Sequence, residues 1–147
     1  VNTAQLNEDL FKKSKHLTLS ILGASSRNQI QDIVQKSFTE NFGVSNCKLA
    51  FYSNSGIGAI EDKTGMSLHK GAVYCGSFSK EKMEFLFKDE KVESVALAVL
   101  VDNNEIGILM LGSYERTRYL GDEDTTFIEY IRDILEKKLE LIDSLDA

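Results

Sequence analysis

No proline occurs in these 147 residues, and cysteine and histidine appear only twice each. An average protein would carry about 5% proline, but nothing about function follows from its absence. Cys47 and Cys75 are too few for the disulfide framework of a small secreted domain, so a reducing cytoplasm is the simpler setting. No run of about 18 apolar residues exists, which leaves no candidate membrane span. No secretory signal is legible either, although Val1 is not an initiator methionine. His16 and His69 have no second histidine at ligand spacing. A zinc site would need four scattered residues to converge, so His16 is read as a helix-surface residue, His69 as a loop residue, and no metal is expected. Basic residues are also in deficit, 17 against 23 acidic, for a net charge of −6. That balance opposes non-specific nucleic-acid binding through phosphate neutralisation.

What is present suits one domain over residues 1–147, able to bury roughly 70% of its unfolded surface. Apolar residues at 42% and charged residues at 27% are ordinary for a globular chain. The most informative stretch begins with two apolar runs, Ser94–Val101 and Ile106–Ser113, around a polar Asp102-Asn103-Asn104-Glu105 turn. This is a β-hairpin signal, and because both faces of both strands are apolar, both should be covered.

A pass along the chain predicts a helix over Thr3–Leu22, with Leu6, Leu10, Leu17 and Ile21 inward and Lys12, Lys13 and Lys15 wet. Ser26 and Gln29 form a capping box for a second helix carrying Ile30, Ile33, Val34, Phe38 and Phe42, stopped by Gly43. Cys47, Leu49 and Phe51 alternate as a strand, and Ser53–Gly56 reads as a turn. Ile57–Lys70 is weakly patterned and reads as loop with a second strand or a short helix. Val73-Tyr74 is a brief β-prone piece, and Ser79 caps a short helix with Met83, Leu86 and Phe87. Asp122, Glu123 and Asp124 place negative charge at the start of the last helix, where the macrodipole favours it. Its stripe of Ile128, Ile131, Leu135, Leu139 and Ile142 is widened by Phe127, Ile134 and Leu141, enough to pack on a sheet and still offer a seam. Lys138 interrupts the heptad pattern, so a strict coiled coil is not secured.

Tyr74-Cys75-Gly76, Glu84–Phe87, Ser94–Leu97, Gly107–Leu109, Gly112-Ser113, Glu115, Tyr119 and Thr125–Ile128 together resemble a GAF-like domain. The closest likeness is to the proteobacterial family catalogued as domain of unknown function 484. The chain departs from that pattern at Val99, where proline is common, at Asp124, where glycine is common, and at Tyr119, usually phenylalanine. The resemblance implies an α+β fold of the GAF/PAS type. Its antiparallel sheet would carry N- and C-terminal amphipathic helices on one face, with helices and loops able to enclose a pocket on the other. It also implies a longer N-terminal helical region, of which residues 1–22 would be the end. The surplus apolar width of both terminal helices favours a parallel helical homodimer seam, the usual GAF arrangement by analogy.

No catalytic constellation is legible. Cys47 in its strand reads as an inert thiol, and Cys75 beside Gly76 as a residue of the pocket rim. A cysteine-dependent reductase, known on this fold, would need a thiolate of lowered pKa with a resolving thiol beside it. Gly56-Ile57-Gly58 lacks a nucleotide-binding context, and no GxSxG elbow is present. The ligand-binding candidates are Tyr74, Cys75, Glu115, Arg116, Arg118 and Tyr119, because arginine forks on a loop behind a rigid strand suit carboxylate or phosphate. The simpler reading is a solvated connection in which Arg116 and Arg118 pair with nearby acids. The expectation is a non-enzymatic sensory or regulatory module that binds a small ligand or partner and signals through its terminal helices. Its rivals are a structural dimerisation module with a filled pocket and a thiol enzyme; the cofactor is unknown.

Overall fold

Spacing and capping account for most elements in the computed structural model, which describes residues 3–119 and 122–146. The side chains of Leu6, Asp122 and Glu123, named above, lie outside the described residues. Helix α1 spans Thr3–Leu22 and α2 spans Arg27–Asn41. The Ser26 hydroxyl accepts the Gln29 N–H at 3.2 Å, and the Gln29 side-chain oxygen accepts the Ser25 N–H at 2.7 Å. Two orphan donors at the helix start are thereby satisfied. Gly43 follows the helix at φ +66, the left-handed conformation its sequence position predicts.

Strand β1, Asn46–Tyr52, lies at an edge of the sheet. Its outer Leu49 amide is occupied by α2: the Gln31 Nε2–H donates to the Leu49 carbonyl and the Gln35 Oε1 accepts the Leu49 N–H. Side chains from a covering helix thus blunt an edge that would otherwise invite pairing.

Helix α3, Asn54–Thr64, corrects the sequence reading. Ser53 begins this helix rather than a turn, since its hydroxyl accepts the Gly56 N–H at 3.3 Å. Gly56-Ile57-Gly58 is likewise helical. Two glycines depress helix propensity, but Ile57, Ile60 and Thr64 are buried on one face, and tertiary packing outweighs propensity in a short helix. A Cβ added at Gly58 would meet nothing within 4 Å. Gly58→Ala is therefore expected to stabilise the protein by ~0.5–1 kcal/mol through the unfolded chain. An increased urea midpoint at constant slope would show it; a decrease would contradict the helical assignment.

Strand β2 (Val73–Gly76), helix α4 (Lys80–Phe87, capped by Ser79), strands β3 (Ser94–Asp102) and β4 (Glu105–Ser113), and helix α5 (Asp122–Asp146) complete the chain. The sheet is antiparallel throughout, in the order β1-β4-β3-β2. The predicted hairpin is present, paired from Ser94 with Ser113 to Asp102 with Glu105. Its two-residue turn places Asn103 at φ +56, a conformation asparagine tolerates.

Strand alternation then makes two cores. Ala96, Ala98, Leu100, Leu109 and Leu111 face α1, α2 and α5, joining Leu17, Phe38, Ile131 and Leu135. Val95, Leu97, Val99, Ile108 and Met110 face the other way, joining Ile57, Met83 and Phe87. Both faces of the hairpin are covered, which is why its strands read as continuous apolar runs. The architecture is α+β, with both terminal helices on one face of the sheet. Beyond the end of β2, α5 takes over the exposed edge of β3: Glu136 accepts the Val101 N–H at 3.0 Å and Arg132 donates to the Val99 carbonyl at 3.3 Å. No helix among the described residues is long and apolar enough to cross a membrane.

Candidate functional site

The segment leaving β4 is tied down by its backbone. The Ser94 hydroxyl donates to the Glu115 carbonyl at 2.6 Å, and the Ser113 hydroxyl accepts the Glu115 N–H at 3.0 Å. The Tyr114 N–H donates to the Ser45 hydroxyl, and the Tyr114 O–H donates to Asp89 at 2.7 Å. That last bond holds the Asp89 carboxyl below the usual range and the Tyr114 hydroxyl above its own.

With its backbone fixed, the loop presents Arg118 and Tyr119 beneath the start of α5. Arg118 Nη1 lies 2.9 Å from Asp124 Oδ1, and its guanidinium sits 4.7 Å from the Tyr119 ring centroid. Asp124, the departure from the family's glycine, thus supplies the arginine's partner. The Tyr119 ring is buried, and burial pushes its hydroxyl up to about 12. Beside them lies a cavity of about 240 Å³, walled by Phe38, Phe42 and Phe127 and reached by Leu10. The phenylalanine rings are 5.1, 5.6 and 6.2 Å apart between centroids, within aromatic contact range.

The other candidates divide. Cys75 faces this same helical core, where its sulfur accepts the Thr125 hydroxyl hydrogen at 3.4 Å. Burial raises its thiol pKa, the Thr125 bond opposes that, and Asp124 and Glu129 add to the increase. Burial also pushes the Cys47 thiol far up. Tyr74 precedes Cys75 in β2 and so points to the opposite face. There its hydroxyl donates to the Ser67 carbonyl at 2.7 Å and accepts the Ser67 N–H at 3.2 Å, pinning the loop before β2. Glu115 and Arg116 are exposed, Arg116 beside Tyr114 in a separate groove of about 430 Å³. The structure therefore brings Cys75, Arg118 and Tyr119 to one side and leaves Tyr74, Glu115 and Arg116 apart from them.

The second face of the sheet, where the GAF-like resemblance allows a ligand pocket, is closely packed under α4, and the 430 Å³ groove beside Tyr114 opens at its edge against Phe78 and Val92. Met83, Leu86, Phe87, Leu97 and Met110 are buried there. A Cβ at Gly112 would come within 2.9 Å of the Phe87 ring.

Sequence reasoning missed two features. One is an apolar groove of about 560 Å³ between α1 and α5, formed by Leu10, Phe11, Leu19 and Tyr130. Leu10, expected to face inward, is exposed. The available signal was Phe11, Leu19 and Leu22 standing on the side of α1 taken to be wet. The other is Asp102, read as a turn residue but buried at the end of β3.

His16 lies exposed on α1 and His69 exposed in the loop before β2. No curated protein is similar enough to this chain to match it. The sequence profile described as "Protein of unknown function, DUF484" matches residues 1–143, so nearly the whole of the fold and every candidate residue above falls within it. The chain belongs to the DUF484 family, proteins of unknown function.

Proposed function

We propose that this protein is a non-enzymatic regulatory module that pairs with a second copy of itself through α1 and α5. The observation that carries this reading is the uncovered apolar face of those helices. Phe11 is 68% exposed, Leu19 56% and Leu145 86%, with Leu22, Tyr130 and Leu141 about half exposed beside them. All side chains from Glu8 to Lys13 are exposed. A helical segment with nothing to pack on is marginal in water, and a patch of this kind marks an interaction surface. A second copy fits because one patch can serve both partners: a two-fold arrangement would lay the exposed apolar side chains of α1 and α5 against those of the other copy.

Light scattering on the eluting protein should give twice the chain mass, and Phe11→Glu with Leu19→Glu should give a monomer whose helical content is unchanged. A wild-type monomer at about 0.1 mM, weaker than any useful self-association, would remove the proposal. So would a dimer untouched by both changes.

The side chains buried under α4 on the second face favour a structural pairing module over a sensor with a pocket there. The cavity beside Arg118 is the place where a small carboxylate or phosphate ligand would act, since it touches both α1 and α5. Native mass spectrometry separates the two: a dimer without added mass supports the structural module, and releasable mass supports the sensor. The raised thiols of Cys47 and Cys75 speak against a reductase, because the protonated thiol is a poor nucleophile.

A further inference from the structure

Folded interiors are close-packed and keep few voids larger than a water molecule. The cavity of about 240 Å³ beside Arg118 departs from that rule, on the helical side of the sheet. Its walls are sorted by chemistry. The rings of Phe38, Phe42 and Phe127, with Val44, Ala96 and Leu111, form a continuous apolar lining. Arg118 and Asp124 are the charged side chains among the described lining residues, and they stand together, Nη1 to Oδ1 at 2.9 Å. Their side chains are 46% and 21% exposed, so the ion pair marks the mouth. The buried Tyr119 ring backs the guanidinium at 4.7 Å. Asp124 takes up one arginine nitrogen; among the described residues nothing else bonds to the Arg118 side chain, nor to Asp124 Oδ2. An arginine fork has five N–H donors and a carboxylate about four acceptor sites. Spare donors and spare acceptors therefore meet at one point, next to an apolar chamber.

We propose that this cavity binds a free aromatic α-amino acid, its carboxylate on Arg118, its ammonium on Asp124 and its ring among the three phenylalanines. Size, polarity and charge choose that class together. A cavity of about 150 Å³ accepts a benzene ring, so this one holds a ring with room for the atoms that join it to the mouth. Larger ligands need roughly 300–1,000 Å³. An apolar wall with a few polar groups at one end suits an amphipathic molecule, and its ring can meet Phe38, Phe42 and Phe127 in aromatic contact. A phosphate or simple carboxylate would bring unbalanced negative charge beside Asp124, and a simple amine would bring positive charge beside Arg118. A zwitterion meets both partners with opposite charge.

This inference rests on the reading of the cavity as a ligand site and narrows that reading to one class; it does not depend on self-pairing. Leu10 of α1 lines both the cavity and the groove on the pairing face, so an occupant would lie against that face from within.

The test is calorimetric titration of L-phenylalanine into the full chain at pH 7.5. Saturable binding is expected with a Kd of about 1 mM or tighter. The analogue 3-phenylpropionate lacks the ammonium and 2-phenylethylamine lacks the carboxylate; each should bind about tenfold more weakly or worse, the cost of one charge-assisted contact. Glycine, which lacks the ring, should give no saturation. Arg118→Gln and Asp124→Asn should each weaken phenylalanine by about the same factor. Asp124→Asn should also bind 3-phenylpropionate more tightly than the unaltered chain does, a gain that damage to the fold could not produce. Absence of saturable heat would overturn the proposal, as would an analogue that binds as tightly as phenylalanine or binding that survives both substitutions. Light scattering reports pairing separately. A monomer that binds phenylalanine would remove self-pairing and keep this site, whereas a dimer that binds none would do the reverse.

Discussion

Phe38→Ala is expected to cost about 3–5 kcal/mol of folding stability, the range for removing a fully buried aromatic ring. Phe38 is fully buried between α2, α5 and the sheet, and its ring meets those of Phe42 and Phe127. It also forms one wall of the 240 Å³ cavity, so the space it vacates would join a void already present instead of collapsing. The loss should lie toward the upper end of the range, because cost rises with the volume left unfilled. For a domain of ordinary stability, ~5–15 kcal/mol, that is a large share of the total. Urea denaturation would measure it. A loss below about 1 kcal/mol would mean that the neighbouring rings close the gap and that the cavity is not a rigid feature.

Gly107→Ala is expected to destabilise by about 1–3 kcal/mol, although alanine is normally the better strand residue. A Cβ there would sit 2.8 Å from Phe51 Cε1 and 2.9 Å from Leu100 Cγ. Leu100 is fully buried and has little room to yield. Phe51 could shift only by leaving Arg27, whose guanidinium is stacked on its ring. The substitution should therefore also loosen the Arg27 contacts to Asp102 and Glu105. Phe51→Leu should recover part of the loss in the double variant, because contacting residues do not add. Gly107→Ala that is neutral, while Gly58→Ala stabilises as expected, would show that β1 moves away freely.

Much of the fold is legible from residue order because it follows from local rules. The hairpin, the Ser26 and Ser79 caps, the Gly43 stop and the core stripe of α5 each depend on residues within a few positions of one another. The exception, α3, shows why local rules can fail. Gly56 and Gly58 argue against a helix, and only the burial of Ile57 and Ile60 against the sheet decides the matter.

The candidate site was legible only in part. Arg118 and Tyr119 share a wall of one cavity, and Arg118 pairs with an acid as the simpler reading predicts. Tyr74 and Cys75, adjacent in sequence, are separated by strand alternation. Cys75 faces the helices and Tyr74 anchors the opposite loop.

By itself the sequence determined the covered hairpin and the amphipathic terminal helices, since periodicity and capping act over a turn or two of chain, and its resemblance to a family implied the α+β class. Tertiary structure decided which apolar residues remain uncovered, since Leu10 has the spacing of a core residue and yet is exposed beside Phe11 and Leu19. It also decided that α4 packs closely on the second face and that Asp102 is buried against the acidic side of α5. Those outcomes depend on volumes and charges brought together from distant parts of the chain, and no local pattern encodes them.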